Sequence, residues 1–568
     1  MKDSLNHSES LLVHFRRMES LKAEAVRYPS IHLNKRQLCN LELLLNRAFY
    51  PLTGYLTQED YERVLDFQRL SDDTVWPVPI CLDISEKSAQ SLSQNERIAL
   101  RDEEGFILAV LKVKSLWKPD LRKEALRIWG TEDPEKHPGV RSFFDETGSW
   151  YVGGSLEGIQ LPFHYDFNEI RLTPPEVHRR FSRNGWRNVL GFHAEDFLHR
   201  SHVEAILSAA REANSSILIH PSIGLGDPGE PRYYALVRSY FEILRNFPKN
   251  LIMLALLPSF SIQAGPREAL LQAIVRKNFG CSHFLVARDH ADPFAGQSGT
   301  ERFYPPHSAR KLVEEYESET GIKMVPFEPF VYVKEKAEFV SPEELGAEMQ
   351  PSELSPSELL RRMENDLKLP EWFTYPEVVA ELKLAFPPKS AQGFTIFLTG
   401  LSGSGKSTLA KVLLVKLMEM RDRPVTLLDG DIVRKNLSSE LDFSKEHRDL
   451  NIRRIGFVAS QITKNGGIAI CAPIAPYEES RRHNRELISQ YGGYIEVYLS
   501  TPLETCELRD AKGVYAKARA GKIKGFTGID DPYVPPANPE ITIDTREFNP
   551  IEAAQKVLLF LEEQGYVR

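Results

Sequence analysis

The feature that most limits how this chain can fold is the glycine-rich stretch LTGLSGSGKST. An apolar run, FTIFLT, leads into it, and leucines at helical spacing follow it. A strand, a glycine loop and a helix in that order let backbone N–H groups at the helix N-terminus enclose phosphate groups. The sequence therefore predicts a nucleotide-binding α/β unit with a phosphate-binding loop (P-loop). The G-x-x-x-x-G-K-[ST] pattern is formed by Gly400, Gly405, Lys406 and Ser407.

The side chains of this loop are candidates for ATP and metal binding. Lys406 is expected to reach the β- and γ-phosphates of ATP, and Ser407 is expected to hold Mg²⁺. The predicted ATP-binding residues of the loop are Gly400, Ser402, Gly403, Ser404, Gly405, Lys406, Ser407 and Thr408.

Two carboxylates follow the next predicted strand, VTLLDGD, as Asp429 and Asp431. Parallel α/β sheets bind ligands at the carboxyl ends of their strands, so either carboxylate is placed to hold Mg²⁺ or to accept a proton from a substrate hydroxyl. A switch GTPase or a motor ATPase is the competing interpretation. The chain has no N-K-x-D motif, and D-G-D differs from the D-x-x-G switch sequence, so a small-molecule kinase fits better.

Arginines accumulate after these carboxylates, and two interpretations stay open for them. The segment LNIRRIGFVASQI has helical periodicity, so Arg453 and Arg454 fit a solvated helix face. As a set near a P-loop, the cations instead indicate an anionic second substrate. The residues in question are Arg434, Arg448, Asn451, Arg453 and Arg454.

Two longer segments resemble adenosine 5′-phosphosulfate (APS) kinases. They are LDGDIVRKNLSSELDFSKEHRDLNIRRIGFVA and CELRDAKGVYAKARAGKIKGFTGIDDPYVPPANPE, and the similarity covers residues 393–568. The resemblance implies a P-loop kinase domain with a parallel sheet. It also implies Mg²⁺- and ATP-dependent phosphorylation of the 3′-hydroxyl of APS, which yields PAPS in sulfate assimilation.

The same resemblance implies roles for individual residues. Asp431 would face the 3′-hydroxyl and Asp429 would lie near Mg²⁺, although these two roles could be exchanged. Arg509 joins the ATP-binding set, and Lys512, Phe526 and Thr527 would belong to a lid over both substrates. The implied APS-binding residues are Asp431, Arg434, Phe443, Arg448, Asn451, Arg454, Ile474, Pro476, Lys512, Phe526 and Thr527.

One position departs from the APS kinase pattern. The family usually reads I-S-P where this chain reads Ile474-Ala475-Pro476. The serine has been considered a phosphoryl acceptor in some members. Its replacement by alanine favours direct in-line transfer from ATP, which positioning and Mg²⁺ can support without a covalent intermediate.

Length and charge set limits on the rest of the molecule. A chain of 568 residues is expected to contain several domains. The 71 basic and 79 acidic residues give a net charge of −8, so no general affinity for nucleic acid or an anionic membrane is expected. The five scattered cysteines, without a C-x-x-C pair, indicate buried thiols in a reducing cytoplasm. The N-terminus lacks the apolar segment of a signal peptide, and no run is long enough to span a membrane.

Residues 1 to about 386 resemble ATP sulfurylases, which make APS from ATP and sulfate. The matching text includes NRAFYPLTGYLTQEDY, YDFNEIRLTPPEVHRRF, AGPREALLQAIVRKNFGC and LPEWFTYPEVV. Short apolar runs before residue 167 predict a β-rich domain, and alternating strand and helix patterns after it predict an α/β layer. The segment 341–370 is predicted to be a small helical module. Both parent families form homo-oligomers, so a dimer or hexamer is expected.

The expected domain organisation has five parts. It comprises a β-rich, PUA-like domain at 1–167, a Rossmann-like nucleotidylyltransferase domain at 168–325, a small third domain at 326–386, a linker at 387–392 and the kinase domain at 393–568.

The sulfurylase signatures are only partly retained. The family reads F-Q-T-R-N-P-L-H-R-A-H where this chain reads FHAEDFLHRSH, which keeps His199 and His202. Polar residues that would bind sulfate and ATP are replaced by His193, Glu195 and Asp196. The second signature, G-R-D-H-A-G-P, is present as ARDHADP. It keeps Arg288, Asp289 and His290 but has Asp292 in place of a glycine.

These replacements predict that sulfurylase activity is lost or severely reduced. Exchanging a cation for an anion about 4 Å from a sulfate reverses an attraction of roughly several kcal/mol at intermediate dielectric. The first part of the chain would then serve as a scaffold or regulator. The alternatives are a fully bifunctional PAPS synthetase, in which relocated cations preserve activity, and a new metal site formed by the histidines and acids of FHAEDFLHRSH.

Overall fold

The computed structural model describes residues 10–224, 231–295, 301–346, 349–352, 354–420, 422–442, 444–510 and 512–567. The chain divides into two compact units. The N-terminal unit comprises residues 1–359 and 369–385, and the C-terminal unit comprises residues 360–368 and 386–568.

The first part of the N-terminal unit is built around a mixed sheet in the order β1-β4-β5-β6-β2, with β3 also paired to β6. The long strand β5 is central, and its apolar residues are buried in the core of the unit. The elements are α1 (Phe15–Ala25), β1 (Ser30–His32), α2 (Lys35–Leu45), β2 (Gly54–Tyr55), α3 (Gln58–Phe67), β3 (Leu82–Ile84), α4 (Glu86–Gln90), β4 (Arg97–Arg101), β5 (Ile107–Trp117), α5 (Leu121–Trp129), α6 (Pro138–Glu146) and β6 (Trp150–Gly158).

The second part is a parallel sheet in the order β11-β10-β7-β8-β9 with connecting helices. Its strands are almost continuously apolar, as expected where helices cover both faces. The elements are α7 (Pro174–Asn184), β7 (Val189–Ala194), α8 (Arg200–Glu212), β8 (Ser216–Pro221), α9 (Pro231–Leu244), β9 (Ile252–Leu254), α10 (Gly265–Asn278), β10 (His283–Ala287), α11 (Ser308–Glu315), α12 (Glu317–Thr320) and β11 (Lys323–Phe327).

In the described residues of the segment 341–370, which was predicted to be a small helical module, one short strand and a 3₁₀ turn accompany a single α-helix. A small antiparallel sheet in the order β13-β12-β14 is followed by two helices. The SPEE sequence caps a single 3₁₀ turn at Pro342–Glu344, whereas SPSE does begin a helix. The elements are β12 (Val331–Val333), β13 (Glu338–Val340), β14 (Pro351–Ser352), α13 (Pro356–Glu364) and α14 (Pro376–Ala385).

The C-terminal unit is a parallel sheet in the order β16-β17-β15-β18-β19, wrapped by helices. The predicted strand FTIFLT is the central strand, and Leu409, Leu413 and Leu417 face the core as expected. A 3₁₀ turn, Lys389–Ala391, precedes the sheet. The elements are β15 (Phe394–Thr399), α15 (Lys406–Met420), β16 (Val425–Asp429), α16 (Gly430–Leu437), α17 (Lys445–Lys464), β17 (Ile468–Ala472), α18 (Glu478–Ser489), β18 (Gly493–Leu499), α19 (Leu503–Arg509), α20 (Val514–Arg519), β19 (Ile541–Ile543) and α21 (Pro550–Glu563).

The predicted fold class, several α/β domains with a parallel-sheet P-loop unit, is confirmed. All five cysteines are buried and free, as their scattered positions suggested. Among the described residues, no helix is long and apolar enough to cross a bilayer.

Candidate active site

The P-loop joins β15 to α15, and its backbone requires glycine. Gly400, Gly403 and Gly405 have φ values of 148°, 76° and 104°, which side chains disfavour. A Cβ on Gly400 would lie 2.7 Å from the Leu499 carbonyl oxygen. The loop can therefore curl only because these positions carry no side chain.

Lys406 is folded back into this loop. Its Nζ donates to the carbonyl oxygens of Gly400 at 2.8 Å and Leu401 at 2.6 Å. The side chain is buried, and that burial lowers the pKa of the ammonium to about 8. The cation is thus poised under the loop, bonded to carbonyls that are weaker acceptors than phosphate oxygens.

The two predicted carboxylates occupy different positions at the end of β16. Asp429 accepts a hydrogen bond from the Ser407 hydroxyl at 3.0 Å, and its other oxygen caps α16 by accepting the Asp431 N–H at 3.0 Å. The Asp431 carboxylate is exposed and forms an ion pair with Lys512. Asp429 is therefore the carboxylate next to the P-loop serine, and Asp431 is the one paired with Lys512.

Cations from α16 and α17 line the opposite wall. Arg434 donates to the carbonyl oxygens of Leu441 and Asp442 at 3.0 and 2.9 Å. Arg448 donates to the Thr527 hydroxyl at 2.8 Å and lies 2.9 Å from an Asp531 carboxylate oxygen. These arginines are held by protein oxygens that an anionic ligand could replace.

One cavity of about 630 Å³ collects most of the predicted kinase residues. Its volume suits a nucleotide-sized ligand. The predicted residues on its wall are Ser402, Gly403, Gly405, Lys406, Ser407, Thr408, Asp429, Asp431, Arg434, Arg448, Asn451, Ile474, Pro476, Arg509, Lys512 and Thr527.

Some predicted residues lie elsewhere. Gly400 and Ser404 are part of the loop but do not contribute to the described wall. Arg454 donates to the Leu437 carbonyl and to Glu440 instead, and Phe526 packs on Tyr515 with ring centroids 5.0 Å apart. Phe443 lies outside the described residues.

The prediction missed several wall residues that come from distant parts of the chain. The Tyr515 hydroxyl donates to the Ser402 carbonyl at 2.8 Å. Thr545 donates to the Ser404 carbonyl at 3.1 Å and receives a hydrogen bond from Arg509 at 2.7 Å. Thr545 follows β19 at the carboxyl edge of the sheet, so the strand-end rule could have identified it. The missed residues include Tyr515, Thr545, Phe548, Asn549 and Pro550.

The sulfurylase-like signature lies at the end of β7 in the N-terminal unit. Glu195 accepts a hydrogen bond from His193 Nε2 at 2.8 Å, and His193 Nδ1 lies 2.6 Å from an Arg276 nitrogen. Burial works against the Glu195 carboxylate, but the hydrogen bond from His193, the charge interactions with His193 and His290 and a hydrogen bond with Ser261 together lower the pKa of Glu195. An anion therefore stands at the position where the sulfurylase pattern has arginine. Arg276 is fully buried behind His193, although it also contributes to the wall of a second cavity.

The retained histidines carry no charge near neutral pH. His199 caps α8 and His202 lies on its first turn, where its Nδ1 accepts the His199 N–H at 3.1 Å. Burial lowers the pKa of His199 to about 3 and that of His202 to about 4. Asp196 is exposed beside them. Neutral rings attract phosphate only through hydrogen bonds, so charge complementarity is weak here.

Side chains of the second signature form hydrogen bonds with neighbouring side chains. His290 donates from Nε2 to Gln272 at 2.8 Å, and Asp289 accepts from Arg302 at 2.8 Å, while Arg288 is exposed. Asp292, which stands in place of the family's glycine, is hydrogen-bonded within the loop. Its two oxygens accept the Phe294 and Tyr304 N–H groups, each at 2.8 Å, so it anchors the loop.

The metal-site alternative for FHAEDFLHRSH finds no geometric support. Within the part of the chain that the structure describes, no group of three or more His, Cys, Asp or Glu side chains is arranged to hold a metal ion.

Comparison with known proteins identifies three consecutive regions. The PUA-like domain family matches residues 6–161, the ATP-sulfurylase family matches 168–384, and the adenylylsulphate kinase family matches 392–544. The chain is 43% identical over 552 residues to a sulfate adenylyltransferase of Phaeosphaeria nodorum, covering 97% of this chain and 96% of that one. It is also 43% identical over 567 residues to the sulfate adenylyltransferase of Chaetomium globosum, covering 99% and 96%.

A solved structure matches over nearly the whole length as well. It is described as the hexameric APS kinase from Thiobacillus denitrificans, with 40% identity, a TM-score of 0.81 and 98% coverage of both chains.

The fold and the cavity define a P-loop kinase domain carried on one chain with a sulfurylase-type α/β unit. The chain belongs to the family of proteins that fuse ATP-sulfurylase and adenylylsulphate kinase domains, which its sulfate adenylyltransferase relatives represent. The family resemblance found in the sequence is thereby confirmed.

Proposed function

We propose that this protein is an APS kinase that transfers the γ-phosphate of ATP to the 3′-hydroxyl of APS and produces PAPS. One observation carries the proposal. A single cavity brings the P-loop cation Lys406, the carboxylates Asp429 and Asp431 and the arginines Arg434 and Arg448 to the same space. A triphosphate at the P-loop and an anionic nucleotide at the arginines would meet there.

The Ser407 hydroxyl and the Asp429 carboxylate suit Mg²⁺, because both present hard oxygen ligands within 3.0 Å of each other beside the P-loop. When bound, Mg²⁺ neutralises phosphate charge during phosphoryl transfer. The geometry favours Asp429 for this role over Asp431.

The remaining steps belong to the chain's own side chains. Lys406 would leave the carbonyls of Gly400 and Leu401 and bind the β- and γ-phosphates. Asp431, freed from Lys512, would accept the proton of the 3′-hydroxyl of APS. The oxygen of that hydroxyl would form a bond to the γ-phosphorus of ATP at the same time. The bond between the γ-phosphorus and the ADP oxygen breaks at the same time. Alanine at position 475 is consistent with this direct transfer.

The N-terminal unit is proposed to act as a scaffold or regulator within a homo-oligomer. The anionic Glu195 and the neutral histidines support loss of sulfurylase chemistry. The full-length match to a protein described as a hexameric APS kinase supports both kinase function and assembly. The alternative is a bifunctional PAPS synthetase. It is supported by the name sulfate adenylyltransferase, which a relative 43% identical to this chain carries.

The kinase assignment predicts the effect of removing the P-loop cation. Lys406→Ala should lower PAPS formation from ATP and APS by at least about 100-fold, because a buried phosphate-binding charge is lost. Lys411→Ala, on the exposed face of the same helix, is the matched control and should keep the wild-type rate. The assay measures PAPS and ADP, and size-exclusion chromatography confirms unchanged assembly. A Lys406→Ala protein with its rate intact would refute the P-loop assignment.

A further inference from the structure

The C-terminal unit contains a buried arginine beside the predicted APS pocket, on α18. Arg481 is 2% exposed, although it does not reach the cavity wall. We infer that Arg481 is a positioning residue for APS, which fixes the loop formed by residues 474–476 to the base of the lid at residues 533–534. The inference rests on the proposed APS kinase function.

The contacts of Arg481 join these two segments directly. One terminal nitrogen donates to the Ala475 carbonyl at 2.7 Å. The other donates to the Val534 carbonyl at 2.9 Å and to the Glu478 carboxylate. The Val534 N–H in turn donates to the Pro476 carbonyl at 2.9 Å. The guanidinium therefore closes a ring of hydrogen bonds around the junction of loop and lid.

The loop needs such support because its backbone is strained. Ala475 is buried and has a φ of 48°, a left-handed conformation that glycine adopts freely and alanine does not. Its neighbours Ile474 and Pro476 line the cavity. A bonded Ala475 carbonyl holds this turn, and the turn sets where those two neighbours lie.

Further contacts hold the same junction. Thr399, at the end of β15, donates to the Ile474 carbonyl at 2.7 Å and shares a hydrogen bond with the Tyr533 hydroxyl at 2.9 Å. Tyr533 stacks on Tyr498 in β18. The lid base is thus tied to the same loop from two sides.

Arginine is specifically suited to this position. Its planar group can serve two carbonyls and a carboxylate at once, whereas a lysine is a single point donor. Its Nε also lies 3.2 Å from the buried Glu496, which stays paired with Arg485. Arg481→Lys therefore keeps a positive charge near Glu496 but loses the fork that joins Ala475 to Val534.

The test is the kinetic comparison of Arg481→Lys with Arg482→Lys, its exposed neighbour. Arg481→Lys should raise the KM for APS by about tenfold and change the KM for ATP by less than about twofold, because the two wall residues that this junction places, Ile474 and Pro476, belong to the predicted APS-binding set. Arg482→Lys should leave both values unchanged. Because only folded molecules bind substrate, KM does not depend on the folded fraction, and partial unfolding lowers the apparent kcat without producing this difference.

A second variant tests whether the effect acts through Ala475. In a chain carrying Ala475→Gly, the turn no longer depends on support, so Arg481→Lys should raise the KM for APS by less than about threefold. An equal penalty in both backgrounds, equal changes in both KM values, or an unchanged KM for APS would each overturn the inference.

If Arg481→Lys does not fold, Tyr533→Phe tests the same junction from its other side. It should raise the KM for APS selectively, and an unchanged KM would overturn the inference. The wild-type protein is assayed first. A wild type that forms no PAPS refutes the proposed function and the inference with it, whereas an active wild type with an unaffected Arg481→Lys variant refutes the inference alone.

Discussion

At the residue scale, the burial of Lys406 makes ATP binding depend on pH. The pKa of its ammonium is lowered to about 8, so the unliganded protein loses this proton as the pH rises through that value. Phosphates favour the charged form, so binding above pH 8 must take up a proton. The dissociation constant for ATP should therefore rise by up to about tenfold per pH unit above about 8.

Titration calorimetry between pH 7 and 9.5, in buffers of different ionisation enthalpy, measures both the affinity and the proton uptake. Lys406→Arg is the control, because an arginine stays charged over this range. A wild-type affinity that is flat to pH 9.5, without proton uptake, would contradict the burial of Lys406 against its carbonyls.

Some site residues could be predicted from the sequence and others could not. The P-loop residues were predictable because one short motif determines both backbone and chemistry. The sequence identified Asp292 only as an acid in place of the signature's glycine, whereas in the structure its carboxylate accepts hydrogen bonds from the N–H groups of Phe294 and Tyr304. The hydrogen bonds between this carboxylate and two backbone N–H groups depend on the conformation of the loop. The sequence ARDHADP does not determine that conformation, so these hydrogen bonds could not be predicted.

At the scale of elements, α17 and α18 approach so closely that a glycine is required between them. A Cβ on Gly456 would overlap the amide of Asn484, which is fully buried and donates to the Ile452 carbonyl at 2.9 Å. Gly456→Ala should therefore destabilise the protein by about 1–3 kcal/mol through overpacking, although alanine is the better helix former. The same change should weaken APS binding, because α17 carries Arg448 and Asn451.

Urea denaturation measures this effect in the C-terminal unit. Phe457→Ala, at the next position but 58% exposed, is the control and should change the free energy of unfolding by less than about 0.5 kcal/mol. A Gly456→Ala protein as stable as the wild type would indicate that Asn484 can move aside.

The elements themselves were predicted unevenly, and for physical reasons. Periodicity identified β15 and α15 because a buried strand and an amphipathic helix each give a distinct pattern. The segment 341–370 was read as helical, yet it forms β14 and a 3₁₀ turn as well as α13. Short strands are held by cross-strand partners, here β12, and local sequence carries little of that information.

At the scale of the whole molecule, the two units of the chain present candidate sites of different charge. The kinase cavity presents the exposed groups of Asp431 and Lys512 together with a P-loop, whereas the sulfurylase-like site presents an anion and neutral rings. This contrast supports the proposal that the N-terminal unit serves assembly rather than catalysis. Assembly is testable by light scattering, where a hexamer would have about six times the 64.7 kDa chain mass.

The sulfurylase question is decided by pyrophosphate release from ATP and sulfate, measured on the full-length protein. Wild type should remain at background, because Glu195 replaces the sulfate-binding cation and repels the dianion by several kcal/mol at about 4 Å. The double variant His193→Gln with Glu195→Arg should restore detectable turnover, since it returns both the cation and the amide to the end of β7.

Glu212→Arg, an equal charge change on the exposed face of α8, is the matched control and should restore nothing. An unchanged circular dichroism spectrum and unchanged elution in size-exclusion chromatography, measured on each preparation, establish that every variant is folded. Robust sulfate-dependent pyrophosphate release by the wild type would instead establish the bifunctional alternative and refute the scaffold proposal.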